Sequence, residues 1–380
     1  MSTPRILIAG GGSGGHVTPG IAVAEALRCL HPGVHVHLAC SQRPIDAQVL
    51  KGTDLPWTAM PAQPLRRSPR GLAAFVKGWM RTKRDTHHLL LSERIDAVLL
   101  LGGFVAGGVL AGSRAANVPT LMVNLDAVPG RANRWIARHA DQSATAVPTV
   151  HPLKSAGADV PLLGGVPVRE AARPQGDARA CRAQVGLDPD RRTVLVTGAS
   201  QGAASINALM AHLLQVEPSL LEGWQVLHLA GDDQHADLQR AYDAAGIRAK
   251  VEAFRHAMGA AWGAADLCIA RAGASTVAEA HFADVPTVYL PYPWHKDRHQ
   301  WHNAQPAVRD GRACIVEDLI DPQKTWPSFR ATIGPLLLDT ALTSMQGAAA
   351  KAHRRDGAYE AAKLVSALAA DSAGATSHVG

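Results

Sequence analysis

Two hydrophobic periods alternate along the chain. Short continuous apolar runs at 5–9, 34–39, 97–101, 119–123 and 160–163 are separated by stretches whose apolar residues recur every three to four positions, as from Ile21 to Leu27. Runs that are apolar throughout predict strands buried on both faces, and the helical stretches between them predict the crossovers of a parallel sheet. The pattern gives way to a polar stretch with Pro, Gly and Gln at 173–177 and then restarts. Strands are expected at 193–197, 224–230, 250–254, 267–270, 287–292 and 313–317, with a helix at 206–214 and a closing helix at 348–369. The expected fold class is therefore α/β, with two Rossmann-like parallel-sheet domains facing across a cleft. No sheet follows the closing helix, which leaves it to pack back on the first half.

Length and composition agree with this pattern. A chain of 380 residues, 47% hydrophobic and 18% charged, suits two globular domains. Five scattered cysteines without a C-x-x-C pair read as buried thiols of a reducing compartment. The first residues lack the layout of a signal peptide, and the longest apolar stretch, 97–112, is glycine-rich and shorter than the ~18 residues a spanning helix needs. A cytoplasmic protein without a membrane span is expected.

The net charge of +6 adds more, because it is unevenly placed. No acidic residue lies between Asp54 and Asp85, whereas Arg66, Arg67, Arg70, Lys77, Arg81, Lys83 and Arg84 do. Leu72, Phe75, Val76, Trp79 and Met80 run among them at helical spacing. One reading is a core-facing helix with a solvated basic face. The other is an interfacial segment resting on anionic lipid. No nucleic-acid-binding module accompanies the patch, so nucleic acid is not expected as a partner.

Candidate chemistry gathers at the predicted strand ends. Gly10-Gly11-Gly12-Ser13-Gly14-Gly15-His16 turns the first strand into a helix, the arrangement that offers backbone N–H groups and helix-end positive charge to an anion. It contains G-x-G-x-x-G, but the next strand runs into Cys40-Ser41-Gln42-Arg43 and the first carboxylate is Asp46, too late to hold an NAD ribose. A dehydrogenase is disfavoured. His16, at the mouth of the loop, is a candidate general base. Gly102-Gly103 and the Asn124, Asp126 and Asn133 region close two further strands. In the second half Gly198-Ala199-Ser200-Gln201-Gly202-Ala203 forms another loop, and Arg271-Ala272-Gly273-Ala274-Ser275-Thr276-Val277-Ala278-Glu279 repeats the strand–turn–helix plan. There Ser275 and Thr276 suit a diphosphate and Glu279 a ribose, or else the segment is a Ser/Thr-capped helix with Glu279 completing a capping box. His299 and Gln300 suit vicinal sugar hydroxyls. The row His295, His299, His302 has neither H-E-x-x-H spacing nor a nearby cysteine, so no metal is expected.

Taken in order, the first glycine loop, Gly198–Ala203, Arg271–Glu279 and His295-Lys296-Asp297-Arg298-His299-Gln300 resemble the MurG family of UDP-N-acetylglucosamine transferases, over the whole chain from first strand to last helix. The resemblance implies a GT-B fold and an inverting glycosyltransferase without cofactor. Such an enzyme moves N-acetylglucosamine from UDP-GlcNAc to the undecaprenyl-linked muramyl sugar of lipid I, forming lipid II at the cytoplasmic face of the plasma membrane. It implies a donor site of Ser13, Gly14, Arg169, Ser200, Gln201, Ala274, Ser275, Thr276, Glu279, His299 and Gln300. The acceptor would meet Gly15, His16, Gly103 and Asn133. His16 or Asp126 would be the base, and Arg66, Arg67, Arg70, Leu72, Phe75, Val76 and Trp79 would rest on the membrane. The domains implied are 1–168 for acceptor and membrane, 169–342 for the UDP-sugar, and 343–380 returning to the first. Two stretches depart from the family: Val123-Asn124-Leu125-Asp126 stands for His-Glu-Gln-Asn, and His299-Gln300 for Gln-Gln. A transferase with another acceptor, a UDP-GlcNAc epimerase and a non-catalytic UDP-sugar sensor are the competing expectations.

Overall fold

The computed structural model describes residues 3–12, 14–156, 159–198, 203–339 and 341–376. The chain forms two compact units, residues 1–169 with 356–380, and residues 170–355. In unit 1 the elements run β1 (Arg5–Gly10), α1 (Val17–Leu30), β2 (His35–Ser41), α2 (Pro44–Leu50), β3 (Trp57–Met60), α3 (Pro69–Ser92), β4 (Ala97–Gly102), α4 (Gly103–Ala115), β5 (Thr120–Asn124), α5 (Arg131–Ala137) and β6 (Gln142–Thr145). Unit 2 continues with α6 (Ala178–Gln184), β7 (Arg192–Thr197), α7 (Ala204–Val216), β8 (Trp224–Leu229), α8 (His235–Ala244), β9 (Ala249–Glu252), α9 (Gly259–Ala264) and β10 (Leu267–Ala270). It closes with α10 (Ala274–Phe282), β11 (Thr287–Tyr289), α11 (His299–Arg309), β12 (Ala313–Ile315), α12 (Pro322–Leu337) and α13 (Leu342–Lys351), after which α14 (Ala358–Thr376) belongs to unit 1.

Both sheets are six-stranded and parallel, in the orders β3-β2-β1-β4-β5-β6 and β12-β11-β10-β7-β8-β9. Each order reverses once, between β1 and β4 and between β7 and β10. In such sheets ligands collect beyond the strand carboxyl ends at that reversal. The central strands are sealed on both faces: Leu7, Val98, Leu100 and Met122 in unit 1, and Val194, Val196, Leu267 and Ile269 in unit 2, are at most 1% exposed. Burying each such side chain is worth about 1.5–3 kcal/mol, which fixes the strand ends that carry the loops.

Several expectations are corrected at the margins. The strands β3 and β6, at the edges of the first sheet, carry no long apolar run and were not expected. The strand expected at 160–163 reduces to one bridge, Thr145 to Leu162. The closing helix is two helices, broken between Lys351 and Ala358, and α13 stays with unit 2, so the chain returns to unit 1 at Asp356 rather than at 343. Asp356 Oδ1 accepts from Val168 N (3.2 Å) and Ala358 N (2.9 Å), tying the segment that leaves unit 1 to the one that returns.

Under the carboxyl end of β8 lies a buried polar chain. His228 Nε2 donates to Asn207 Oδ1 (3.1 Å), and its Nδ1 accepts from Tyr242 Oη (3.1 Å). Asn207 Nδ2 donates to Ala230 O and Gln234 Oε1, which fixes the amide orientation and hence the neutral His228 tautomer. Burial drives His228 down from its usual 6.5 to about 3. Unfolding therefore takes up a proton there between about pH 6.5 and 3. The stability of unit 2, full above that window, should fall by about 1.4 kcal/mol per pH unit on acidification through it. Urea unfolding at pH 7.5 and pH 5 should show this slope in the wild type and a flatter one in His228→Gln; equal slopes would contradict the assignment.

Candidate active site

In unit 1 the loops after β1, β4 and β5 stand side by side at the sheet edge, because β4 lies between β1 and β5. Their strand ends are spaced by about 4.8 Å per step. His16 occupies the N-cap position of α1 and is half-buried. Gly103 opens α4 with φ +78°; a Cβ there would lie 2.3 Å from Gly11 O and 3.6 Å from His16 Nδ1. Only glycine permits this approach of the β4 loop to the β1 loop. Asn133 is pinned in the same region, its Nδ2 donating to Asn124 Oδ1 (3.2 Å) while Asn124 Nδ2 donates to Asp126 O (2.7 Å). The departure from the family pattern at Asn124 thus has a structural role: this fully buried amide shapes the loop that carries Asp126 and orients Asn133.

The first glycine loop differs from the expected open anion cradle. Asp46, fully buried in the first turn of α2, accepts through Oδ2 from Gly12 N (2.8 Å), Ser41 N (3.0 Å) and Ser41 Oγ (2.6 Å), and through Oδ1 from Gly14 N (3.2 Å). Arg43 holds the carbonyl of the same residue, donating from Nη1 to Gly12 O, and lies over the Phe104 ring. Burial first, and then the Asp46 charge, push the neighbouring Cys40 thiol up to about 12. The Gly14 amide, expected at the donor, is thereby engaged. Ser13 lies outside the described residues.

Unit 2 is organised around Arg271, the residue after β10. Its Nη1 reaches Leu290 O and Asp318 Oδ2, each at 2.7 Å, and its Nη2 donates to Ser205 Oγ (2.6 Å), which itself donates to Asp318 Oδ2 (2.7 Å). Asp318 Oδ1 accepts from Ile320 N (2.7 Å). Both charged partners are buried, at 6% and 4% exposure. One ion pair thus fastens the ends of β10 and β11 to the first turn of α7. Ser200 and Gln201, in the loop before α7, fall outside the described residues.

Helix α10 starts at Ala274 with Gly273 as N-cap and no side-chain cap, so Ser275 and Thr276 sit in its first turn and the capping box is not formed. Glu279, three positions beyond the capping-box position, is buried and accepts from Trp262 Nε1 at 2.9 Å. Farther along, Gln300 Oε1 accepts from Tyr292 N (2.8 Å), and the His299 ring bonds Asp297 Oδ1 (2.8 Å) and packs 4.3 Å from the His295 ring. Burial would raise the Asp297 carboxyl, but the bonds from the His299 ring and amide outweigh it and hold it below its ordinary value. Arg169, at the last residue of the first segment of unit 1, is buried, and its Nε has no hydrogen-bond partner among the described residues.

Helix α3 overturns the core-facing reading of its apolar stripe. Its buried side is Gly78, Thr82, Thr86 and Leu90; Gly78 faces Pro61 and Gln63, and Thr82 and Thr86 are set against the glycine face of α4, where a Cβ on Gly108 or Gly112 would lie within 2.8 Å of them. Leu72, Val76 and Met80 point outward at 52%, 47% and 66% exposure, among Arg70, Lys77, Arg81 and Arg84. An open concavity of about 900 Å³ runs along this ridge. The sequence did not reveal the contribution of α5: Trp135 meets Trp79 edge-on at 5.4 Å, flanked by exposed Arg131, Arg134 and Arg138. No helix among the described residues is long and apolar enough to cross a membrane.

Known proteins share this organisation. Residues 6–145 match the glycosyltransferase family 28 N-terminal domain, and residues 193–324 its C-terminal domain. A protein of Nocardioides sp. named UDP-N-acetylglucosamine–N-acetylmuramyl-(pentapeptide) pyrophosphoryl-undecaprenol N-acetylglucosamine transferase is 35% identical, over 92% of this chain and 93% of its own. One of the same name from Streptomyces coelicolor is 33% identical, over 93% and 94%. The crystal structure of Acinetobacter baumannii MurG superposes with a TM-score of 0.67 at 26% identity, over 96% of this chain and 99% of that one, and it identifies the two-sheet architecture as GT-B. A Listeria monocytogenes structure described as a UDP-N-acetylglucosamine 2-epimerase shares the fold at 14% identity and a TM-score of 0.63, over 97% and 96%.

The Arg271 hub gives a direct test. Arg271→Ala leaves Asp318 buried without its cation and should cost about 3–5 kcal/mol in urea unfolding, whereas the joint Arg271→Met/Asp318→Leu replacement should cost clearly less. A double variant as unstable as the single one would show that the pair is not the fastening described.

Proposed function

Because the chain belongs to glycosyltransferase family 28, with both of its domains in order, we propose that it transfers N-acetylglucosamine from UDP-GlcNAc to the muramyl sugar of lipid I, producing lipid II. The observation that carries this reading is similarity at 31–35% identity, over most of the chain, to relatives named for that transfer. Unit 2 takes the donor. The uncapped N-terminus of α10 presents the amides of its first turn to the diphosphate, and Ser275 and Thr276 add hydroxyls. Glu279, oriented by Trp262, accepts from the ribose, and His299 and Gln300 address the sugar hydroxyls. Arg169, whose buried Nε has no hydrogen-bond partner among the described residues, supplies a cation to the departing diphosphate.

Unit 1 takes the acceptor. His16 removes the proton of the acceptor hydroxyl, which attacks the anomeric carbon as the bond to UDP breaks, inverting that centre. Asp126, two strands along the same edge, is the second candidate base. Stabilising the diphosphate through fixed donors is worth about 3 kcal/mol per donor, comparable with the base itself. The ridge of Leu72, Val76 and Met80, with Phe75 and Trp79 beside it, rests on anionic lipid at the cytoplasmic membrane face. Arg66, Arg67 and Arg70 are all exposed at its start, and basic residues near such a surface add about 1 kcal/mol each.

Incubation with UDP-GlcNAc and a lipid I analogue should yield the disaccharide product by mass spectrometry, and donor alone should yield no epimer. His16→Ala should lower kcat by about 10²–10⁴-fold with little change in donor KM, as expected for loss of a general base; near-normal kcat in both His16→Ala and Asp126→Ala would sink the assignment. Separately, Arg66, Arg67 and Arg70 changed together to Gln should weaken binding to vesicles containing anionic lipid, by roughly 3 kcal/mol at low salt. Unchanged vesicle binding would remove the membrane role of that segment.

A further inference from the structure

The Asp46 carboxylate has the surroundings of a bound anion. It is fully buried, lies against a glycine-rich strand–helix turn, and accepts four hydrogen bonds, from the amides of Gly12, Gly14 and Ser41 and from the Ser41 hydroxyl. In a nucleotide-binding turn of this shape, those glycine amides are the groups that receive a phosphate. Here a side chain five residues beyond β2 receives them. There is no room for both: a Cβ on Gly11 would lie 2.6 Å from Asp46 Oδ2, so the carboxylate is seated against the loop backbone.

We propose that Asp46 is a built-in anion that fills the phosphate cradle of the first loop, and that its function is to position His16. Three consequences follow from the geometry. The loop is fixed before any ligand arrives, since the Gly12 and Gly14 amides are already bonded to Asp46 and the Gly12 carbonyl is held by Arg43. An external diphosphate, including that of the acceptor, does not bind through the Gly12 and Gly14 amides, so the chemistry of this loop passes to His16. And the β4 loop, which approaches Gly11 and His16 through Gly103, rests against a backbone that Asp46 fixes. Asp46 touches no reacting atom and is a positioning residue. The positioning role rests on the reading of His16 as base, whereas the filled cradle does not.

The experiment has two arms. In the wild-type protein, amide NMR resonances of Gly12 and Gly14 should not respond to inorganic phosphate; in Asp46→Ala they should. Phosphate-induced shifts at these amides in the wild type would overturn the filled cradle, whatever the activity. In the second arm, Asp46→Asn keeps the shape, removes the charge and turns a donor toward the loop amides. It should lower kcat about 10- to 100-fold, the usual effect of displacing a reacting group by a fraction of an ångström to an ångström, while KM for UDP-GlcNAc stays within about twofold, since unit 2 holds the donor. Added formate should raise the kcat of Asp46→Ala by re-entering the vacated seat. Unchanged kcat in Asp46→Asn, or a folded Asp46→Ala that formate does not raise, would overturn the positioning role. Should the Asp46 variants fail to fold, Ser41→Ala removes one donor to the carboxylate and should cost about threefold in kcat at constant KM; no loss there would equally count against the proposal. Failure of the His16 reading itself would show separately, as near-normal kcat in His16→Ala with the phosphate result unchanged.

Discussion

Backbone polar groups at the carboxyl edge of a buried parallel sheet must find partners, and this requirement governs both halves of the molecule. The strands stop, the ladder ends, and the turning chain leaves amides and carbonyls in a region nearly closed to water. Unit 1 meets the requirement with a single carboxylate, Asp46, whose two oxygens gather two glycine amides and both donors of Ser41. Unit 2 meets it with an ion pair, Arg271 and Asp318, closed by Ser205 and tied to Leu290 O and Ile320 N. An ion pair out of water gains little net stability over apolar packing. Its value here is geometric, because three separate chain segments meet at one guanidinium.

The packing of α3 on α4 obeys a different rule and produces a different kind of surface. Glycines at 107, 108 and 112 let the α4 backbone approach Trp79, Thr82 and Thr86, and Leu90 completes the buried side of α3. The large apolar side chains on its opposite side are then not needed for the core. Leu72, Val76 and Met80 remain outside, and Trp135 extends the apolar strip onto α5. The area thus left in contact with water is a cost to a protein in free solution, and that cost falls wherever an apolar boundary is at hand.

What could be read from the sequence follows the same physics. Central strands announce themselves because burial on both faces demands unbroken apolar runs, and the glycine turns after β1, β4, β7 and β10 mark their ends. The strands Trp57–Met60 and Gln142–Thr145 were hidden because each is only four residues long and mixes polar with apolar positions. The α3 stripe showed its period but not its direction, since Thr and Gly on the opposite side gave no hydrophobic signal. Asp46 was visible only as a carboxylate in the wrong place for a ribose; its inward turn depends on α2, a seven-residue helix too short to predict. Asp318 gave no sign at all, because its partner lies forty-seven positions away in sequence, from Arg271 to Asp318.

Unit 1 is built from two segments, and α14 packs against α1, β4 and β5 with Ala361, Ala362 and Val365 fully covered. During synthesis, every residue of unit 2 must leave the ribosome before that helix exists. At roughly 5–20 residues per second this is a delay of about 10–40 s. Through that interval the nascent first sheet carries an uncovered apolar face, while unit 2, continuous in sequence, can close as soon as it emerges. Unit 2 can therefore complete its fold before unit 1 does, although unit 1 begins the chain.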